Sequence, residues 1–291
     1  MYHEPVMLNE VLALTESYRH KKILDGTLGL GGYSEAILKK FPESSVTGID
    51  RDSEAVKFSV ERLKSYGSRF TAMCRNFSSI SEINDIKSYD VLIFDLGVSN
   101  MQLSIPERGF SFAKDGPLDM RMNSDDDTPT ASEILNNLDA DALTKIFRLY
   151  GEERFSRQIA SAIKRLNTPL KTTGELVTLI RETLPQPVQR KMGTHPARRI
   201  FQALRIYVNN EAGELENLLA SLPECSENAL IIFVSYHSLE DRLIKHSFKS
   251  WQHYEKGIIL TKHPLTPSQD EIDFNYKARS AKLRAFLMKK D

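Results

Sequence analysis

Asp25-Gly26-Thr27-Leu28-Gly29-Leu30-Gly31-Gly32 stands directly after a short apolar run at 23–25 and directly before a helical stretch at 34–40. Glycines at a strand-to-helix turn remove Cβ atoms, so the backbone can turn tightly and approach a ligand. The first turn of the following helix adds unpaired N–H groups. The loop therefore points to a cofactor, with a merely tight turn as the plainer reading of glycines alone. Working outward, further short apolar runs at 46–50, 70–74 and 91–95 read as strands. Between them, 53–66 carries Val56, Val60 and Leu63 at helical spacing. Strands alternating with helices predict an α/β fold with a mostly parallel sheet.

Beyond Leu103 the strand signal disappears for more than a hundred residues, and 131–135, 140–150, 152–166, 173–184 and 196–222 all suit helices. It returns at 229–235 with Ala-Leu-Ile-Ile-Phe-Val, a continuous apolar run suited to a strand buried on both faces. Runs at 257–261 and 283–288 add two strands as a closing hairpin. The expected organisation is one α/β domain in two parts, 1–105 and 209–291, interrupted by an all-helical insertion at 106–208.

Two more acids strengthen the case for a site. Asp50 ends the second strand, 25 residues after Asp25, where a carboxylate can accept hydrogen bonds from both hydroxyls of a ribose. Asp95 ends the fourth, on the edge of the sheet along which ligands bind. Each alone reads equally well as a solvated strand end or a helix cap. Two cofactor classes use such a crevice, nicotinamide dinucleotides and S-adenosylmethionine. Ser34 stands where the dinucleotide fingerprint has its third glycine or alanine, which disfavours the first. A crevice rich in Asp suits the cationic second.

With 291 residues, 41% hydrophobic and 27% charged, the chain has the composition of a folded globular protein. Its longest apolar run, six residues at 229–234, falls far short of the roughly 18 that span a bilayer, and 1–10 lacks the pattern of a secretion signal. A cytoplasmic location without membrane association is expected. Cys74 and Cys225 suit ordinary buried thiols, and the seven histidines show no metal-ligand spacing, so no metal is expected. Net charge is zero, yet Arg190, Lys191, Arg198, Arg199 and Arg205 occur without an intervening acid, as do the six Lys and Arg from 277 to 290. Local basic patches of this kind suit a polyanion.

Long motifs then give the sequence a family resemblance. These are His3-Glu4-Pro5-Val6-Met7-Leu8, Asp25-Gly26-Thr27-Leu28-Gly29, Asp95-Leu96-Gly97-Val98-Ser99, Glu107-Arg108-Gly109-Phe110-Ser111-Phe112 and Asp115-Gly116-Pro117-Leu118-Asp119-Met120-Arg121-Met122. Tyr150-Gly151-Glu152-Glu153-Arg154-Phe155, the run from His195 to Arg205 and Ser235-Tyr236-His237-Ser238-Leu239-Glu240-Asp241-Arg242 follow in order. The chain resembles the bacterial RsmH (MraW) methyltransferases, which modify the N4 amine of a cytidine in small-subunit (16S) ribosomal RNA. The resemblance implies a class I S-adenosylmethionine-dependent methyltransferase, a Rossmann-like sheet with an inserted helical domain. The implied partner is small-subunit ribosomal RNA at the decoding region, within the assembled subunit; a homodimer stays open.

Carried over position by position, donor contacts fall on Gly31, Gly32, Tyr33, Asp50, Phe77, Asp95 and Gln102, beside Asp25 and Gly29 of the loop. Tyr33 replaces the family's usual His, Asn100-Met101 its Ser-Pro, and Asn275-Tyr276-Lys277-Ala278-Arg279 its Asn-Pro-Arg-Ala-Arg. For catalysis Asp95, Tyr236 and His237 are the candidates: the acid to draw the amine hydrogens, Tyr236 to hold an unstacked base. A capped strand end is the alternative for Tyr236 and His237. The Asp-Pro-Pro-Tyr motif of many amine methyltransferases is replaced by Asp95-Leu96-Gly97-Val98, so no general base is assigned. Phe110, Phe112, Asp115 and Asp119 are expected to cover the substrate; alternatively the segment is a domain linker whose two Phe residues plug the interdomain core. Arg198, Arg199 and Arg205 are expected on phosphates, or alternatively on a solvated helix face.

Overall fold

The computed structural model describes residues 5–125 and 127–290, with the backbone alone for Asn100; His3 and Glu4 of the first motif lie outside the described residues. In chain order the elements are α1 (Leu8–Glu16), β1 (Lys22–Asp25), α2 (Gly32–Lys40), β2 (Ser45–Asp50), α3 (Ser53–Leu63), β3 (Phe70–Cys74) and β4 (Val91–Asp95). Then come α4 (Asn100–Ser104), α5 (Ala131–Asn137), α6 (Ala140–Gly151), α7 (Ser156–Lys164), α8 (Thr173–Thr183), α9 (Gln186–Lys191), α10 (Arg198–Val208) and α11 (Glu211–Cys225). The chain ends with β5 (Leu230–Ser235), α12 (Ser238–His253), β6 (Gly257–Ile259), α13 (Gln269–Phe274) and β7 (Lys282–Met288). Two compact units result, Met1–Gly97 with Gly213–Asp291, and Val98–Ala212.

The first unit holds a seven-stranded sheet in the order β3-β2-β1-β4-β5-β7-β6. β3 to β5 run parallel, and β7 is antiparallel between β5 and β6. This is the Rossmann-like class I arrangement. Alternation along β5 explains its unbroken apolar sequence. Ile231 and Phe233 enter a core cluster with Leu24, Leu92, Phe94, Phe248 and Trp251, while Leu230, Ile232 and Val234 enter the opposite one with Ile23, Val91 and Ile93. Both faces of a parallel sheet are covered, so both must be apolar.

The strand order reverses between β1 and β4, since β2 lies on one side of β1 and β5 beyond β4. Crevices form at such a reversal, outside the carboxyl ends of the strands. β2, β1, β4 and β5 are consecutive neighbours, which brings the ends carrying Asp50, Asp25, Asp95 and Ser235-Tyr236 to one edge.

The second unit is helical and has its own core, built from Leu143, Phe147, Ile159, Ile163, Leu176, Ile180, Ile200 and Leu204 among others. Thr130 and Thr172 form reciprocal capping boxes with Glu133 and Glu175, and Asp139 caps α6, which sets the starts of α5, α8 and α6. The unit begins at Val98 and not at 106, because Val98 and Leu103 already pack into this core.

Several local expectations change. The stretch 196–222 forms two helices, since Asn210 takes a left-handed φ of 49° that ends α10. Helix α7 starts only at Ser156, because Glu152 terminates α6 with φ 48°. β6 and β7 pair antiparallel but are separated by α13, so they form no tight hairpin. Cys225 is buried, but Cys74 is exposed at the end of the edge strand β3. α12 lay outside the sequence expectation, although Ile244, Phe248 and Trp251 occupy one of its faces.

Candidate active site

The glycine loop is held by strand-like hydrogen bonds on both sides. Gly26 N–H donates to Ile93 O at 2.8 Å and Leu28 N–H to Ile49 O at 2.9 Å, so the loop continues β1 between β4 and β2. It then turns through Gly29 (φ 49°) and Gly31 (φ 76°), left-handed conformations that strain any residue with a Cβ. At Gly31 an added Cβ would stand 3.0 Å from Leu63 Cδ1 and 3.2 Å from Ser59 Oγ. Gly32 opens α2, where a Cβ would collide with Pro5. From the far side Ser59 Oγ donates to Gly29 O at 2.8 Å, and Arg62 Nη1 to Leu30 O at 2.6 Å.

Each of the three acids is fixed by its neighbours. Asp25 is fully buried and accepts from Ser34 Oγ at 2.7 Å, so it anchors the loop from beneath. Asp50 accepts Gly29 N–H at 2.8 Å on Oδ2 and Asp52 N–H at 2.9 Å on Oδ1. Asp95 N–H donates to Thr27 Oγ1 at 2.6 Å, and its Oδ1 accepts the Tyr236 hydroxyl at 2.7 Å. No hydrogen bond engages Asp95 Oδ2, and none of the three carboxylates is in a salt bridge, among the described residues.

Desolvation raises all three. Asp25 and Asp50 are pushed up to about 6, desolvation outweighing the hydrogen bonds that favour the charged form. Asp95 is pushed up to about 7 by burial, against the Tyr236 hydrogen bond, with the charges of Asp25 and Glu240 adding to the rise. The crevice is a set of carboxylates that gains by meeting a cation.

Tyr236 is half-buried beside β5, and its hydroxyl is spent on Asp95. His237 caps α12: its Nδ1 accepts Glu240 N–H at 3.4 Å, while Glu240 Oε2 accepts the N–H groups of Tyr236 at 2.8 Å and His237 at 3.3 Å. Tyr33 is buried, with its hydroxyl donating to Val6 O and its ring in the core shared with Ile37 and Leu38. Phe77 is partly buried and meets Phe94 edge-on at 6.5 Å.

The remaining candidates lie in the helical unit. Gln102 is buried and closes a capping box with Ser99 at the start of α4. Phe110 is 5% exposed and belongs to the helical unit's own core, so its ring is not free to cover a substrate. Phe112 stacks on His195 with ring centroids 4.6 Å apart. Asp115 accepts Gly174 N–H at 2.7 Å, and Asp119 holds Arg121 bidentately at 2.8 and 2.9 Å. Arg205 is likewise held by Glu211 at 2.7 and 2.8 Å, so its guanidinium serves the fold. Arg198 and Arg199 are exposed on α10, Arg199 donating to Glu152 O at 3.2 Å.

Sequence reasoning passed over Thr27, Ser34 and Glu240. Thr27 ties the loop to β4 and Ser34 orients Asp25, roles that no short-range pattern announces. Glu240 was detectable, since an acid three residues after a helix-capping position is a capping-box signature.

A relative from Picosynechococcus named ribosomal RNA small subunit methyltransferase H is 44% identical over 283 residues, covering 97% of this chain and 95% of its own. One of the same name from Pseudothermotoga lettingae is 43% identical over 290 residues, covering 97% of each chain. Among solved structures, an rRNA methylase from Streptococcus thermophilus superposes with a TM-score of 0.46 at 9% identity, covering 100% of this chain and 99% of that one. The model of the MraW methylase family matches residues 1–289, and the chain belongs to that family.

Proposed function

We propose that this protein methylates the N4 amine of a cytidine in the decoding region of small-subunit ribosomal RNA, within the assembled subunit and in the cytoplasm, using S-adenosylmethionine. The family and the names of the relatives support an rRNA methyltransferase. The observation that carries the chemistry is Asp95. It is a half-buried carboxylate raised to about 7, with one oxygen fixed by Tyr236 and the other unengaged among the described residues.

The residues present fit the donor. Three carboxylates without a salt bridge suit a ligand that carries a sulfonium and an ammonium. When bound, the donor supplies a methyl group made electrophilic by the sulfonium. Asp50 would hold the ribose hydroxyls; Gly29, Gly31 and Gly32 would line the donor's path, and Phe77 would flank it. No helix among the described residues is long and apolar enough to cross a membrane.

A cytosine amine is a weak nucleophile because its lone pair is delocalised into the ring. Asp95 Oδ2 accepts an amine N–H, which localises that pair, and a group titrating near 7 is matched to take the proton as the nitrogen is alkylated. Tyr236 orients Asp95 through Oδ1, and His237 with Glu240 holds the Tyr236 backbone in place. Arg198, Arg199 and Phe112 are the remaining candidates for RNA contact. Methyl transfer is otherwise a matter of holding nitrogen and methyl carbon in line.

The test is transfer of labelled methyl to small subunits from a strain lacking this protein, beside free RNA, with the modified nucleoside identified. Label in N4-methylcytidine on subunits, lost with Asp95→Ala, is the expected result. Label in another nucleoside, or no label while the donor still binds, overturns the reading.

A further inference from the structure

Helices α7 and α8 pack against each other in the helical unit and leave an open groove of about 880 Å³. Phe155, Ala162, Leu166 and Leu179 give it apolar walls, while Arg154, Arg157 and Arg165 are exposed along it. Glu182 is the one acid among the lining residues.

These arginines differ from neighbouring cations. Lys164, on the same helix, donates to Asn136 O at 2.7 Å, and Arg181 on α8 is hydrogen-bonded to His195 Nε2 at 3.0 Å. Arg154, Arg157 and Arg165 have no side-chain hydrogen bond or salt bridge among the described residues. Three exposed guanidinium groups along one groove, with a single acid beside them, make a local positive patch that attracts a polyanion. Arg157 and Arg165 are eight residues apart, about 12 Å along a helix at 1.5 Å per residue, a span that suits a chain of anions better than one.

We infer that this groove binds a single-stranded segment of the substrate RNA, the arginines meeting successive phosphates and the apolar walls receiving sugar and base faces. Guanidinium groups match phosphate oxygens bidentately, and an unpaired strand, unlike a duplex, exposes base faces beside a continuous run of phosphates. The inference rests on the RNA substrate proposed above. It moves the phosphate contact of this unit from Arg205, which Glu211 holds, to the α7–α8 face.

The experiment measures binding of transcribed small-subunit ribosomal RNA to the full chain between about 50 and 200 mM salt. Replacing Arg154, Arg157 and Arg165 together with Gln is expected to flatten the slope of log K against log salt by about 2, from about 0.7 per phosphate contact on a single strand. Arg165→Gln alone is expected to flatten it by about 0.7 and serves if the triple variant misfolds. Lys145→Gln with Arg148→Gln, exposed on α6, is the control and is expected to leave the slope unchanged.

Wild-type binding with an unaltered slope in the triple variant, or an equal loss per charge in the control, overturns the groove alone. A wild-type chain that neither binds ribosomal RNA nor methylates it in small subunits overturns the substrate reading and the groove with it. Unchanged binding of free RNA with lost capture of assembled subunits assigns the groove to a ribosomal protein and overturns the RNA assignment.

Discussion

Replacing Tyr236 with Phe isolates what the tyrosine hydroxyl does for Asp95. The hydroxyl donates to Oδ1 at 2.7 Å and is the one interaction that lowers the acid's pKa against burial and the charges of Asp25 and Glu240. A hydrogen bond to a charged group contributes about 1.5 to 3 kcal/mol, and one pKa unit corresponds to about 1.4 kcal/mol. Its loss should raise Asp95 by about 1 to 2 units, from about 7 into the range of about 8 to 9. If the ionised carboxylate is the active form, kcat/KM climbs with pH through the free enzyme's value and levels off above it. At pH 7 the wild type is about half ionised and the variant only about 1 to 10%, so activity falls about 5- to 50-fold and recovers toward pH 9. The assay is kcat/KM for label transfer to small subunits at intervals from about pH 5.5 to 9.5. A loss equal at every pH, with the acidic limb unmoved, would show that Tyr236 acts by another route; a limb displaced to lower pH would refute the role of Asp95.

Asp95→Asn should abolish transfer while stabilising the protein at high pH. The folded acid holds its proton up to about pH 7 and the unfolded one only to about 4, so the native state binds more protons between these values and loses stability as pH rises. Freed of this term, the variant gains on the wild type by up to about 4 kcal/mol above pH 8, read as a widening difference in Tm; a constant difference contradicts the account. Gly31→Ala meets both a left-handed φ of 76° and Leu63 at 3.0 Å, so a loss of about 1 to 2 kcal/mol in denaturant unfolding and weaker donor binding by calorimetry are expected. Unaltered values of both would show that the turn tolerates a side chain. Asn209→Ala leaves buried Met122 N–H and Met120 O without the side chain that joins them, at 2.7 Å each, and should cost about 2 to 4 kcal/mol. Calorimetric unfolding that matches the wild type would exclude this role.

Local sequence chemistry determined much of this protein. The glycine turn with an acid at each of three strand ends needed only neighbouring residues to be legible, because left-handed φ and strand termination are properties of a few consecutive positions. The apolar run of β5 announced burial on both faces, and Thr130, Asp139 and Thr172 announced helix starts, for the same reason. Pairings across long stretches of chain were decided only by tertiary structure. Tyr236 and Asp95 are 141 residues apart, and their hydrogen bond exists because β5 adds beside β4. Arg205 reads as a phosphate ligand until the break at Asn210 turns Glu211 onto it, and Phe110 reads as a cover until the helical core encloses it. The raised acidity constants belong to this second class. A carboxylate's sequence neighbours do not set how much water it loses; only the packing of α/β layers around the crevice removes that water, and desolvation is the largest cause of the shift in all three acids.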